Sequence, residues 1–204
     1  MNEVSIAVLS LAACLFASSV GAKLHSLGAY QSFRAGMRET ALMPDRLLRV
    51  VVAVLPCAEA VTAAGLATAA GLVATAGPGA KPAAEVALIT AATLTGLVSA
   101  GVAVIMHRGT QARCACFGAG SGRPLGVVHL TRNLTLLAVV AAGLSCSLLG
   151  HGPPVPAATV VSATAGAMAA LLFVRWEDLA ELFAPIPSAH SGTPAIQRPH
   201  NRPG

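Results

Sequence analysis

The sequence predicts an all-α integral membrane protein, with a four-helix transmembrane bundle as its core and a fifth, C-terminal transmembrane helix. Of its 204 residues, 55% are hydrophobic and only 10% are charged, whereas soluble domains carry roughly 25% charged residues. Five apolar runs are each long enough to cross a hydrocarbon core of about 30 Å, which takes about 20 residues. Aromatic residues make up only 3% of the chain, so we expect the helices to associate through close backbone contact at small residues.

The five predicted spans are separated by segments whose composition is typical of loops. Gly77-Pro78-Gly79 follows the second span, a polar segment around Cys114 follows the third, and a proline-rich segment precedes the fifth. The spans cover residues 4–22, 50–74, 86–106, 126–149 and 155–174.

These spans divide the chain into three parts. Residues 1–149 form the predicted four-helix membrane domain, residues 150–176 the extra transmembrane helix, and residues 177–204 a disordered, proline-rich cytoplasmic tail. We expect the first span to be retained rather than cleaved as a signal peptide, because no Lys or Arg precedes it. Lys23, directly after this span, is interpreted as an anchor at the membrane face.

The connection between the first two spans, residues 23–49, is too long for a simple loop. Tyr30 and Phe33 are interleaved with Arg34 and other charged residues at the spacing of an amphipathic helix. Such a helix lies in the membrane interface, and Pro44 is expected to end it. The segment is therefore predicted to be interfacial.

Lysine and arginine are distributed unevenly over the connecting segments. The segments after the first, third and fifth spans hold nearly all of them, whereas the alternate segments hold only Lys81. Under the positive-inside rule, the N-terminus lies outside the plasma membrane, and the C-terminus and the cysteine loop at residues 107–125 lie in the cytoplasm. The formal net charge of +5 follows from this topology and gives no reason to expect nucleic-acid binding.

Two cysteines separated by one residue, Cys114 and Cys116, are the strongest candidates for chemistry. The adjacent Arg113 and the start of the fourth span favour the thiolate form, which is the reactive form of cysteine. A disulfide across one intervening residue closes a small ring, so it should be strained and easily reduced. The pattern indicates a thiol–disulfide redox pair, and two reduced cysteines without a role are the plain alternative.

A metal site is a competing interpretation of the same loop. His107 and His129 flank Cys114 and Cys116, and this set of two imidazoles and two thiolates suits zinc or copper. However, the spacing is tighter than that of a structural zinc site, and no second cysteine pair is present. We therefore predict no bound metal.

Ionisable residues within the spans form a second candidate group. Glu59 lies well inside the second span, where a charge is costly unless it faces the bundle and has a partner. Arg132 of the fourth span is the predicted partner, and it shares one helix face with His129 and Asn133 at i, i+3 and i+4 spacing. These polar residues are interpreted as a structural ion pair or a proton relay that supports the redox pair. Cys57 is a candidate auxiliary thiol because of its predicted depth.

Several sequence features together resemble the methylamine utilisation protein MauE family, which is itself similar to DoxX-like membrane proteins. The resemblance covers residues 4–149, and its most specific part is the C-x-C-F-G motif followed about fifteen residues later by Arg-Asn. The features are Ala22-Lys23-Leu24, Phe33, Leu42-Met43-Pro44, Leu55-Pro56 with Glu59, Arg108-Gly109, Cys114-Ala115-Cys116-Phe117-Gly118 and Arg132-Asn133-Leu134.

The resemblance implies a four-helix membrane core and a role in thiol–disulfide exchange with a thioredoxin-like partner. In methylamine-oxidising bacteria, members of the family are needed to make the disulfide-rich small subunit of methylamine dehydrogenase. The sequence departs from the family in two respects, because Ala115 stands where Gly is frequent and because a fifth span and a tail follow the shared core.

The family role and the charge pattern disagree about the side of the membrane on which the cysteines act. The family implies partners on the outer side, whereas the charge pattern predicts a cytoplasmic loop, and we follow the charge pattern. No cofactor is predicted, since a quinone as electron carrier has no support in the sequence. A non-catalytic assembly or chaperone subunit is the alternative function from a different class.

Overall fold

The computed structural model describes residues 3–40, 42–109, 126–149 and 156–176. The described residues are helical apart from short turns, with no strand among them, which confirms the predicted all-α class. The helices are α1 (Glu3–Leu24), α2 (Leu27–Glu39), α3 (Asp45–Ala74), α4 (Ala80–His107), α5 (Val127–Leu149) and α6 (Pro156–Val174).

Five of these helices, α1, α3, α4, α5 and α6, are long and apolar enough to cross a membrane. This confirms the predicted number of spans. α3 and α4 begin at Asp45 and Ala80, ahead of the predicted starts at residues 50 and 86, because hydropathy marks only the apolar part of a helix. Large apolar side chains such as Val61 and Leu97 are exposed on the outside of the bundle, as expected for a surface that faces lipid. The protein is a multi-pass membrane protein.

Four helices form a ring in which each contacts the next, in the order α1, α3, α4, α5 and back to α1. α1 and α5 run antiparallel, since the Ser5 hydroxyl near the start of α1 donates to the Gly143 carbonyl near the end of α5 at 3.3 Å. Leu9, Leu66 and Leu88 are fully buried in the apolar core of this ring. The predicted four-helix core is therefore present.

α6 packs along the outer side of α1 and runs parallel to it. The Ser162 hydroxyl donates to Glu3 at 3.2 Å. Further along, a Cβ added to Gly166 would lie 2.1 Å from the backbone oxygen of Ala7. The two backbones thus approach too closely for any side chain at residue 166, a mode of helix association typical of membranes. The fifth span is joined to the core through this contact.

α2 lies where the predicted interfacial helix was expected, between the first two spans. The Ser26 hydroxyl caps its start by accepting from the backbone N–H of Ala29 at 3.1 Å. Phe33, only 1% exposed, packs in a cluster with Leu48 and Val52 of α3. The apolar face of α2 is therefore turned onto the bundle, whereas its position relative to a membrane interface stays a prediction.

Candidate functional site

Side chains from the four helices of the ring line a cavity of about 80 Å³, which we call the central cavity. By volume it can hold several water molecules. Its lining combines polar and apolar side chains. The polar ones, which we call the polar wall, are Ser19 and Lys23 from α1, Glu59 from α3, Thr95 from α4, and His129, Arg132 and Asn133 from α5; the apolar ones are Leu15, Phe16, Leu55, Leu94, Val98, Val102 and Leu136.

A buried ion pair between Lys23 and Glu59 dominates the polar wall. The Lys23 ammonium donates to both carboxylate oxygens of Glu59, at 2.7 and 2.6 Å, and to the Ser19 hydroxyl at 2.6 Å. Ser19 in turn donates to Glu59 at 3.3 Å. All three ammonium protons thus have an acceptor, and the carboxylate receives three hydrogen bonds.

The prediction that Lys23 anchors α1 at the membrane face is wrong. Its side chain is only 1% exposed and points into the bundle, because Glu59 on the neighbouring helix supplies the compensating charge. From the other side, Phe33 of α2 covers it, with the ammonium nitrogen 5.5 Å from the ring centroid. This is a cation–π contact. Lys23 is therefore a site residue, although its place at the end of the first span predicted a surface anchor.

Glu59 is buried and partnered, as its depth in the span predicted, but its ion-pair partner differs. Arg132 was the predicted partner, and the structure instead places Lys23 within 2.6 Å of the carboxylate. Arg132 is also buried and lines the same cavity. Glu59 and Arg132 thus line one cavity, whereas the ion pair predicted between them is replaced by the pair of Glu59 with Lys23.

The helix face predicted for α5 is also confirmed. His129, Arg132 and Asn133 all line the central cavity, and the first two are buried. Their spacing of three and four residues places them on one side of a helix, and packing turns that side inward.

Thr95 is a second site residue that the sequence analysis missed. It is only 5% exposed, lines the cavity, and its hydroxyl makes no hydrogen bond. No sequence signal distinguishes it from Thr90 and Thr93 on the same helix, whose exposed hydroxyls each donate to the carbonyl four residues earlier at 2.8 Å.

The polar wall lies toward one end of the bundle. Lys23 is in the last turn of α1, and Arg132 lies about 7.5 Å along α5 from its start at Val127, at a rise of 1.5 Å per residue. α4 ends at His107 and α5 begins at this same end of the ring. The chain segment that contains the two cysteines is therefore joined to the helices that line the cavity.

The predicted redox residues Cys114, Cys116 and Arg113 lie outside the described residues, so their roles stay predictions. The auxiliary candidate Cys57 is a free thiol on α3, and its side chain is exposed on the surface of the bundle rather than turned toward the central cavity.

The alternative metal site is not assembled in the described part of the chain. His107 is exposed at the end of α4, whereas His129 is buried in the cavity wall. No group of three or more His, Cys, Asp or Glu side chains that could hold a metal ion occurs among the described residues. The two thiolates that this alternative requires lie outside them.

Comparison with known proteins assigns the family. Residues 1–146 match the family model described as methylamine utilisation protein MauE. The methylamine utilization protein MauE of Paracoccus denitrificans is 36% identical over 172 residues, which cover 81% of this chain and 82% of the relative. The protein of the same description from Paracoccus versutus is 31% identical over 192 residues, which cover 94% of this chain and 92% of the relative.

Shares of 81% and 94% of a 204-residue chain are both more than the 155 residues that precede α6. The similarity to both relatives therefore extends into α6. No solved structure matches the chain. The family model and both relatives agree, and the chain belongs to the methylamine utilisation protein MauE family.

Proposed function

We propose that this protein is a thiol–disulfide redox protein of the plasma membrane, with Cys114 and Cys116 as the exchanging pair. Its partner is a thioredoxin-like protein, and the exchange serves disulfide formation or maturation of another protein. The methylamine utilization named in the two relatives suggests a methylamine dehydrogenase-type client.

The observation that carries this proposal is the buried polar wall beside the helix ends that flank the cysteines. A charge within a membrane span is expensive and is usually retained for function, and here Lys23, Glu59 and Arg132 line one cavity. Two of the four lining helices, α4 and α5, are those that the cysteine segment connects. The charged wall thus supports the part of the protein that we assign to exchange.

The exchange transfers electrons and protons only between this protein and its partner. A partner thiolate attacks one sulfur of the Cys114–Cys116 disulfide, which breaks the S–S bond and releases the other cysteine as a thiolate. The second partner thiol then attacks the mixed disulfide. The partner leaves oxidised, and Cys114 and Cys116 have gained two electrons and two protons. The reverse sequence oxidises the pair and reduces the partner.

In this proposal Glu59, Arg132 and Asn133 hold the ends of the ring helices in place, together with Lys23. The N-terminus lies outside and the cysteine segment faces the cytoplasm, as the distribution of Lys and Arg favours.

Trapping of a mixed disulfide tests the proposal. A tagged Cys116→Ser variant, expressed in the native host and quenched with acid and alkylating agent, should retain a thioredoxin-like protein through Cys114. The complex should run as one band on a non-reducing gel and separate on reduction. Cys146→Ser, which removes a partly buried thiol of α5, is the matched control and should trap nothing.

The double variant Cys114→Ser, Cys116→Ser separates exchange from an assembly role. Exchange requires at least one thiol, so this variant should lose in vivo activity while reaching the membrane at the normal level. Full activity of the double variant would contradict the redox proposal and favour an assembly subunit.

A further inference from the structure

An open pocket lies between α2 and the start of α3, and we call it the arginine pocket. It is lined by Arg34, Arg38, Asp45, Leu48 and Arg49. Its volume of about 300 Å³ is at the lower end of the range for small-molecule sites, which is about 300–1,000 Å³. It shares no lining residue with the central cavity, so it is a separate feature of the molecule.

The charged side chains that line the arginine pocket are mainly positive. Three guanidinium groups and one carboxylate give the described lining a formal surplus of two positive charges. Arg38 and Asp45 pair at 3.7 Å, and their side chains are 72% and 76% exposed. Arg34 and Arg49 form no ion pair with a carboxylate among the described residues, and Glu39 of α2 does not line the pocket. The surplus favours an anionic ligand.

The backbone at the start of α3 favours an anion at the same place. Pro44 precedes this helix and its side chain forms no capping hydrogen bond, so the first backbone N–H groups of α3 receive no acceptor from it. These groups give the start of a helix a partial positive charge, which Asp45 in the first turn offsets only in part. Guanidinium groups beside a helix start are typical of sites that bind phosphate.

The position of the arginine pocket along α3 indicates what carries the phosphate. The pocket lies where the charged start of α3 meets its apolar part, because Arg49 is followed directly by Val50. Val50 and Val54 are each 56% exposed, and a membrane-spanning helix turns such side chains toward lipid tails. A phosphate held at Arg34 and Arg49 would therefore lie at the level of the lipid headgroups.

We propose that the arginine pocket binds the phosphate headgroup of an anionic phospholipid, whose acyl chains lie along Val50 and Val54. Basic pockets at the end of membrane-spanning helices are suited to such headgroups, and arginine matches the paired oxygens of a phosphate better than a point charge does. This proposal does not depend on the redox role of the cysteines.

Native mass spectrometry of the full-length protein, released from a non-ionic detergent, tests this site by counting the lipids that stay bound. Dioleoyl phosphatidylglycerol should bind more tightly than dioleoyl phosphatidylcholine, which has the same chains and a phosphate but no net charge. The double variant Arg34→Gln, Arg49→Gln should bind phosphatidylglycerol about tenfold more weakly or worse, because it removes two charged hydrogen-bond donors. Arg46→Gln, which removes an exposed arginine of α3 that does not line the pocket, is the matched control and should leave binding nearly unchanged.

Asp45→Asn keeps the test decisive, because misfolding cannot produce a gain in affinity. This variant removes the one carboxylate of the described pocket lining, so it should bind phosphatidylglycerol more tightly than the unmodified protein does. Unchanged or weaker binding would overturn the electrostatic basis of the site.

Three further outcomes would also overturn the proposal. Equal affinities for phosphatidylglycerol and phosphatidylcholine would show that the protein does not recognise an anionic headgroup. Equal losses in Arg46→Gln and in the double variant would assign binding to the general surface charge rather than to the pocket. Displacement of phosphatidylglycerol by millimolar inorganic phosphate would assign the pocket to free phosphate instead of a lipid.

Discussion

Removal of one partner of the Lys23–Glu59 pair should destabilise the bundle far more than removal of both. The two side chains are 1% and 7% exposed and their charged atoms are 2.6 Å apart, so Lys23→Met leaves a carboxylate buried with only Ser19 as a donor from this cluster. Uncompensated buried charges of this kind cost about 3–5 kcal/mol. In a protein of this size, that corresponds to a fall in melting temperature of about 6–20 °C.

The double variant Lys23→Met, Glu59→Leu removes the charges together and replaces them with apolar side chains of similar volume. Replacement of a buried ion pair in this way is often neutral or stabilising, so the double variant should be more stable than either Lys23→Met or Glu59→Leu alone. Thermal unfolding of the purified protein in detergent, followed by far-ultraviolet circular dichroism, measures all three variants. The non-additivity gives the interaction energy of the pair.

Lys81→Met provides a matched control for the loss of a lysine from an ion pair. Lys81 and Glu85 are one helical turn apart at 4.0 Å, and their side chains are 48% and 24% exposed. Solvent screens such a pair, so its loss should cost no more than about 0.5 kcal/mol. If Lys23→Met cost no more than this control, or if the effects of Lys23→Met and Glu59→Leu were additive, the two charges would not depend on each other for the stability of the bundle.

Three further perturbations test the packing and the orientation. Gly166→Ala should separate α6 from α1, because the added Cβ would lie 2.1 Å from backbone, and overpacking of this kind should lower the free energy of unfolding by about 1–3 kcal/mol or more. Gly65→Ala is the control, since the space around its Cβ is open, and it should not lower the melting temperature. Equal losses for the two variants would refute the close contact. Phe33→Ala should cost about 3–5 kcal/mol in the same unfolding assay, and a loss below 1 kcal/mol would show that α2 does not cover Lys23. A membrane-impermeant maleimide should label Cys114 and Cys116 only after the cells are opened, and labelling in sealed cells would reverse the proposed topology.

Hydropathy and helical spacing alone were sufficient for much of the architecture. They gave five spans, placed a helix between the first two, and assigned His129, Arg132 and Asn133 to one inward face. The depth of Glu59 predicted a buried carboxylate with a partner. These features depend on local sequence, because each is set by the length of an apolar run or by positions within a single helix.

The identity of the partner of Glu59 required the tertiary structure. A lysine at the end of a span can extend to the membrane surface or turn inward, and its local sequence is the same in both cases. Glu59, on another helix, decides the direction for Lys23, which points inward to the carboxylate. The same argument holds for Thr95. The rotation of α4 about its own axis turns Thr95 into the bundle and leaves Thr93 exposed.

The sequence by itself determined the membrane class, the number of spans, the C-x-C motif and the candidate polar residues. The tertiary structure decided which of those residues meet, that Lys23 and Thr95 join them, and that α6 packs parallel to α1 against Gly166. The physical reason is that hydropathy reports how far each segment is compatible with lipid. The order and rotation of helices depend instead on contacts between side chains and backbones that are distant in the sequence, and these contacts form only when the helices pack together.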